Sequence, residues 1–192
     1  MNKNVTTFYM EMNNIEDFIP KIGYKESLTI NEISKDAFQQ WMLFVGVGMP
    51  WQWYSRLKWT IQEWDSYFST TDAHTYMAFS KNQLIGYFEL VKRDEDVEIK
   101  FFGLFPSSIG VGWGGALLSH AVNAAWELGA KKVWLHTCTS DHKAALSNYQ
   151  ARGFKIVNQT DEEEIIPDKE EYLRLANNFL NQYWDFTNPN AK

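Results

Sequence analysis

Apolar positions along the chain follow two periods. Alternation with period two predicts strands over Thr7–Met12, Leu28–Ile33, Thr75–Phe79 and Leu84–Leu90. The pair flanking Ser80-Lys81-Asn82-Gln83 reads as a hairpin with a short polar loop. Arg93-Asp94-Glu95-Asp96 makes the next turn, leading to a third antiparallel strand, Val97–Phe105. Helical spacing marks Lys35–Phe44, Thr60–Phe68 and Trp113–Leu128, the last closed by Gly129. Lys132–Thr137 is a strand, and Asp141 is placed to N-cap a helix that runs to Arg152 and stops at Gly153. Phe154–Asn158 is a further strand. Glu170–Tyr183 reads as a final helix with Tyr172, Leu173, Leu175, Ala176, Phe179 and Leu180 on its apolar face.

The order of these elements defines a topology. Val97–Phe105 and Lys132–Thr137 are joined through a helix, so they form a right-handed parallel pair within an otherwise antiparallel sheet. Pro20, Pro50, Pro106, Pro167 and Pro189 lie apart and none sits in a Gly/Ser linker, so residues 1–192 read as one domain. The tail after Trp184 is polar and expected to fray.

Composition narrows the function classes. Hydrophobic residues make up 45% of 192 positions, enough for a core. A net charge of −6 argues against non-specific binding to nucleic acid or anionic lipid. A single cysteine, Cys138, excludes an intramolecular disulfide and a multi-cysteine zinc site. With no apolar leader and Gly46, Gly48 and Pro50 interrupting the most apolar run, the chain reads as soluble and cytoplasmic, with no membrane partner.

Five of the eleven glycines fall between 103 and 115, in the join between a strand and an amphipathic helix. Without Cβ atoms, a backbone there can turn sharply and touch a ligand, and a helix start lacking Ser, Thr or Asp leaves N–H groups for an anion such as pyrophosphate. The phosphate loop ending in Gly-Lys-Ser/Thr is absent, and Gly110-Val111-Gly112-Trp113-Gly114-Gly115 fits the dinucleotide fingerprint poorly. A tight turn that only lets the helix pack closely stays open as the alternative.

Residues of about 75–158 resemble the GNAT N-acetyltransferase superfamily. The family loop, Gln/Arg-x-x-Gly-x-Gly/Ala, is similar to Ile109-Gly110-Val111-Gly112-Trp113-Gly114, and a second pattern is met by Ala145, Tyr149, Gly153 and Phe154. The resemblance implies a mixed, mostly antiparallel sheet of six to seven strands with a splayed parallel pair and helices on both faces. It implies acetyl-CoA as cosubstrate, no metal, and a small-molecule or peptide amine as acceptor; a homodimer stays open. The backbone of Leu104 and Phe105 is implied to pair with the pantetheine arm, and Ile109, Gly110, Val111, Gly112, Trp113, Gly114 and Gly115 to hold the pyrophosphate, with His142 and Ala145 beside the cofactor. Ile109 stands where Gln or Arg is usual and Val111 where a basic residue is common. Charge for the phosphates then comes from a Lys or Arg elsewhere, or affinity is lower.

For the chemistry, the resemblance implies Glu98 as general base and Tyr149 as general acid; the alternatives are a lysine-paired Glu98 and a packing tyrosine. The run His136-Thr137-Cys138-Thr139-Ser140-Asp141-His142 also suggests a metal site or a Cys–His nucleophile, both weaker readings where a strand gives way to a helix. Five of nine tryptophans lie between 41 and 64, in a segment, 13–74, that borders the acceptor side in the family. Trp51, Trp53 and Arg56, near Pro50, are the candidates for acceptor binding, with core packing as the competing role for the tryptophans. The acidic runs Asp94–Asp96 and Asp161–Glu164 read as solvated turns. A non-catalytic acyl-CoA sensor or a protein-interaction module on the same fold is the rival to an acetyltransferase.

Overall fold

In the computed structural model, residues 2–21 and 28–184 are described. One sheet holds seven strands: β1 (Asn2–Met12), β2 (Thr29–Glu32), β3 (Ala73–Ser80), β4 (Gln83–Arg93), β5 (Asp96–Leu104), β6 (Lys132–Cys138) and β7 (Lys155–Ile165). Their order is β2-β3-β4-β5-β6-β1-β7. Every neighbouring pair is antiparallel except β5–β6. The helices are α1 (Ala37–Gly48), α2 (Ile61–Thr70), α3 (Trp113–Glu127), α4 (Ala145–Gln150) and α5 (Lys169–Tyr183).

Local chemistry sets the element ends. Lys81 and Asn82 take φ of 48° and 66°, the left-handed pair of a two-residue hairpin turn between β3 and β4. Thr60 and Glu63 form a reciprocal capping box on α2, while Asp36 and Asp168 cap α1 and α5 through the amides of Gln39 and Glu171.

Cores form on both faces of the sheet. Leu117, Ala121, Val122 and Ala125 of α3 pack on Met10, Leu90, Val97, Ile99, Val133 and Leu135. On the other face, Phe44 of α1, Trp64 and Phe68 of α2 and Leu175 and Phe179 of α5 enclose Ala73 and Val91. β4 is therefore buried on both sides, which explains its near-continuous apolar run from Ile85.

Two expectations are corrected. Asp161–Glu164 is not a turn: β7 continues to Ile165, paired with β1 in a register that sets Val5 opposite Glu162. It is an edge strand, where the exposed Asp161, Glu162 and Glu163 face water and block further pairing. Asp141 does not cap α4, which starts only at Ala145. Its carboxylate instead turns back to the end of β6, accepting from Thr137 Oγ1 at 2.7 Å and from the Cys138 amide at 3.1 Å. The expectation for residues 185–192 lies outside the described residues.

Candidate active site

The sheet is split at its centre. β5 and β6 pair only from Asp96 to Glu98, against Lys132 to Trp134. At this point Lys100 is an extra residue in β5: Leu90 faces Ile99 and Glu89 faces Phe101. Such a bulge bends its strand and increases its twist. Beyond it β5 keeps β4 as its neighbour, and its β6-facing edge borders a cavity of about 740 Å³.

The cavity runs through the sheet, because residues from both faces line it. Towards α3 it is bounded by Leu104, the loop glycines, Ala145, Asn148, Tyr149 and Arg152. Towards α1 it is bounded by Trp51, Trp53, Tyr54, Phe101, His136, Cys138 and Glu164.

The α3 end has the chemistry of an anion site. Gly112 occupies the N-cap of α3 with φ of 96°, a left-handed conformation that favours glycine, and no side chain caps the helix. A Cβ on Gly115 would come within 2.5 Å of an Arg152 guanidinium nitrogen and 2.7 Å of Lys21 Cδ, so both cations crowd this turn. Lys21 Nζ also donates to the Gly112 carbonyl at 3.3 Å, and its backbone N–H donates to Ser119 Oγ at 2.9 Å. Uncapped amides with two flanking cations fit a pyrophosphate. Lys21 and Arg152 escape a sequence reading because the fold carries them to the loop from distant positions. They place positive charge at this end of the cavity, where Ile109 and Val111 bring none.

The candidate residues divide by place. Leu104, Ile109, Gly110, Gly112, Gly114, Gly115, His142, Ala145, Tyr149, Trp51 and Trp53 all line the cavity. Val111 and Trp113 turn the other way and line a separate cavity of about 260 Å³ with Ser80 and Ser107. Their side chains therefore point away from the main cavity, while the Trp113 N–H, in the first turn of α3, stays among the uncapped amides. Phe105 does not line the cavity: its ring is seated against Gly46 of α1 and its N–H donates to the Ile85 carbonyl at 2.9 Å. Arg56, expected on the acceptor side, does not line the cavity. It is 3% exposed and makes a two-pronged ion pair with Glu89, both N–O distances being 2.7 Å. Trp59, Tyr67 and Phe101 surround its guanidinium at 4.8, 4.2 and 4.5 Å.

Glu98 sits at the fork of the split, 1% exposed, rather than on the cavity wall. Lys100 Nζ donates to its carboxylate at 3.0 Å, and His136 Nδ1 lies 3.7 Å from the same oxygen. Lys100 and His136 themselves line the cavity. Burial and then the Lys100 charge hold the His136 pKa below its ordinary value, which favours neutral imidazole. His136 is the functional candidate whose role the sequence reading missed; its alternation with buried Leu135 and Thr137 is the signal that could have placed it. Tyr149 is enclosed by Phe102 and Phe154, and burial pushes its pKa well up, so the phenol keeps its proton. Among the described residues, no group of three His, Cys, Asp or Glu side chains is gathered as for a metal ion. No described helix is long and apolar enough to cross a membrane.

A split mixed sheet with an uncapped glycine loop beside the split defines a class of acyl-transfer proteins. The profile of the Acetyltransferase (GNAT) family matches residues 29–154, and the chain belongs to that family. A comparison with curated proteins found no match. Among solved structures, the chain is similar to a GCN5-related N-acetyltransferase from Sphaerobacter thermophilus, with a TM-score of 0.62 and 15% identity over 85% of this chain and 52% of that one. It is also similar to a Bacillus subtilis acetyltransferase in complex with CoA, at TM-score 0.54 and 24% identity over 69% of this chain and 79% of that one. An IAA acetyltransferase from Bacillus cereus matches at TM-score 0.51 and 26% identity, with the same coverage. The chain spans 52% to 64% of the length of several structures that it matches.

Proposed function

We propose that the chain moves an acetyl group from acetyl-CoA to a primary amine by direct attack, without an acyl-enzyme. The observation that carries this reading is the through-sheet cavity, with an anion site on the α3 side and an aromatic, acidic chamber on the α1 side. Two substrates can meet at the fork from opposite faces.

Each residue has a physical task. The amides at the start of α3, with Lys21 and Arg152, hold the pyrophosphate, and the open edge of β5 receives the pantetheine arm as an added strand. An amine arrives protonated and must lose a proton before its nitrogen bonds to the acetyl carbon. His136 takes that proton. Glu98, expected from the sequence to act directly, stands behind the imidazole and stabilises its charged form. As the C–S bond breaks, the Tyr149 hydroxyl gives a proton to the leaving sulfur, and the second proton shed by the newly acylated nitrogen restores the phenol. Lys100 balances Glu98 when the imidazole is neutral.

The test is thiol release from acetyl-CoA across a panel of amines, with cofactor affinity measured in parallel by calorimetry. Turnover with an amine supports the reading. Binding without thiol release from any acceptor favours an acyl-CoA sensor on the same fold.

A further inference from the structure

The cavity is electrically polarised along its length. Lys21 and Arg152 stand at the α3 end. At the α1 end the acidic side chains are Glu164 and Asp141. Lys100 is engaged by Glu98, and Arg56 is withdrawn into the interior by Glu89. Among the described residues, no salt bridge engages Asp141 or Glu164, although Lys3 stands opposite Glu164 in the β1–β7 register.

These two carboxyl groups differ in what they can still bind. Asp141 is occupied by Thr137, the Cys138 amide and the Trp53 indole N–H at 3.4 Å. Glu164 accepts one hydrogen bond, from the Tyr54 hydroxyl at 2.7 Å, and its second oxygen takes none among the described residues. Burial and the Glu164 contact push the Tyr54 pKa up to about 12. Burial and Asp141 raise the Cys138 thiol. Trp51, Trp53 and Tyr54 add aromatic faces that attract a cation and cover an alkyl chain.

We propose that the acceptor is a dication, a diamine or longer polyamine, whose second ammonium is held by Glu164 against the wall of Trp51, Trp53 and Tyr54 while the first amine is acetylated. This rests on the acetyl-transfer reading above. An acceptor bearing a carboxylate meets acidic side chains and no available guanidinium, so the chamber discriminates against it.

The test compares three acceptors of one chain length: 1,4-diaminobutane, butylamine and 4-aminobutanoate. At fixed pH and low salt, the diamine should exceed butylamine in kcat/KM by about tenfold, the scale of one partly desolvated charge contact, and 4-aminobutanoate should be the poorest. Equal values for the diamine and butylamine, or a preference for 4-aminobutanoate, would overturn the proposal. Glu164→Gln should collapse the diamine-to-butylamine ratio towards one, and a persistent ratio would remove Glu164 from the site. If no amine releases thiol, calorimetry of 1,4-diaminobutane with the CoA-loaded protein separates the two readings. Binding that Glu164→Gln weakens keeps the dication chamber and sinks acetyl transfer. No binding sinks the chamber.

Discussion

Arg56 and Glu89 meet as a parallel, two-pronged ion pair in the interior, with both N–O distances at 2.7 Å. The Tyr67 hydroxyl donates to the same carboxylate at 2.7 Å. The pair fastens the segment after α1 to the centre of β4. Removing one partner from such a pair leaves the other charge buried alone, which costs about 3–5 kcal/mol. Arg56→Ala should therefore lower the thermal midpoint by roughly 10 °C or more for a chain of this size. A simultaneous Arg56→Met and Glu89→Leu exchange should recover much of the loss, because no orphan charge remains. A melting series on the three proteins checks this. An unchanged midpoint with a raised acceptor KM would return Arg56 to the acceptor wall.

The phosphate end depends on backbone shape and on charge. Gly112→Asp puts a side chain at φ of 96° and a negative charge beside the anion, so acetyl-CoA binding should be lost in a folded protein. Lys21→Ala and Arg152→Ala should each weaken CoA affinity by about tenfold, and each should flatten its dependence on salt. Calorimetry at two ionic strengths measures both effects.

Tyr149→Phe keeps the ring that packs on Phe102 and Phe154 and removes only the hydroxyl. Turnover should fall by about 10²-fold, the scale of a general acid, while acetyl-CoA affinity stays close to that of the parent. Wild-type turnover in steady-state kinetics would assign the ring to packing alone.

The His136 titration carries a definite sign. Burial and Lys100 lower its pKa, whereas Glu98 and Asp141 raise it. Lys100→Met should move the midpoint to higher pH, and Glu98→Gln should move it to lower pH. The imidazole resonances followed by NMR report the shift directly. If His136 accepts the amine proton, the acid limb of kcat/KM should move in the same direction in each variant.

The sequence was most informative where a pattern is local. The strand, glycine loop and helix from Val97 to Leu128 can be read from short-range periodicity, as can the hairpin at Lys81 and Asn82. Readings failed where a residue's partner lies far along the chain. Arg56 looks like a loop residue until β4 brings Glu89 beneath it. Asp141 resembles a helix cap, but Thr137 and the Trp53 indole claim its carboxylate. Glu162 and its neighbours have poor strand propensity, and only the long β1 partner recruits them into β7. At the site, the strand pattern located Glu98 but not its depth. Glu98 is flanked by Val91 of β4 and Trp134 of β6, neighbours that no single-strand pattern encodes.

Because β5 and β6 share only three residue pairs, β2 to β5 on one side and β6, β1 and β7 on the other are two sub-sheets stitched at one end. A substrate lying in the gap becomes a temporary strut between them. Its free energy of binding then adds to cohesion of the whole fold, in proportion to the logarithm of its concentration above Kd. If acetyl-CoA is that substrate, resistance to proteolysis should rise with its concentration.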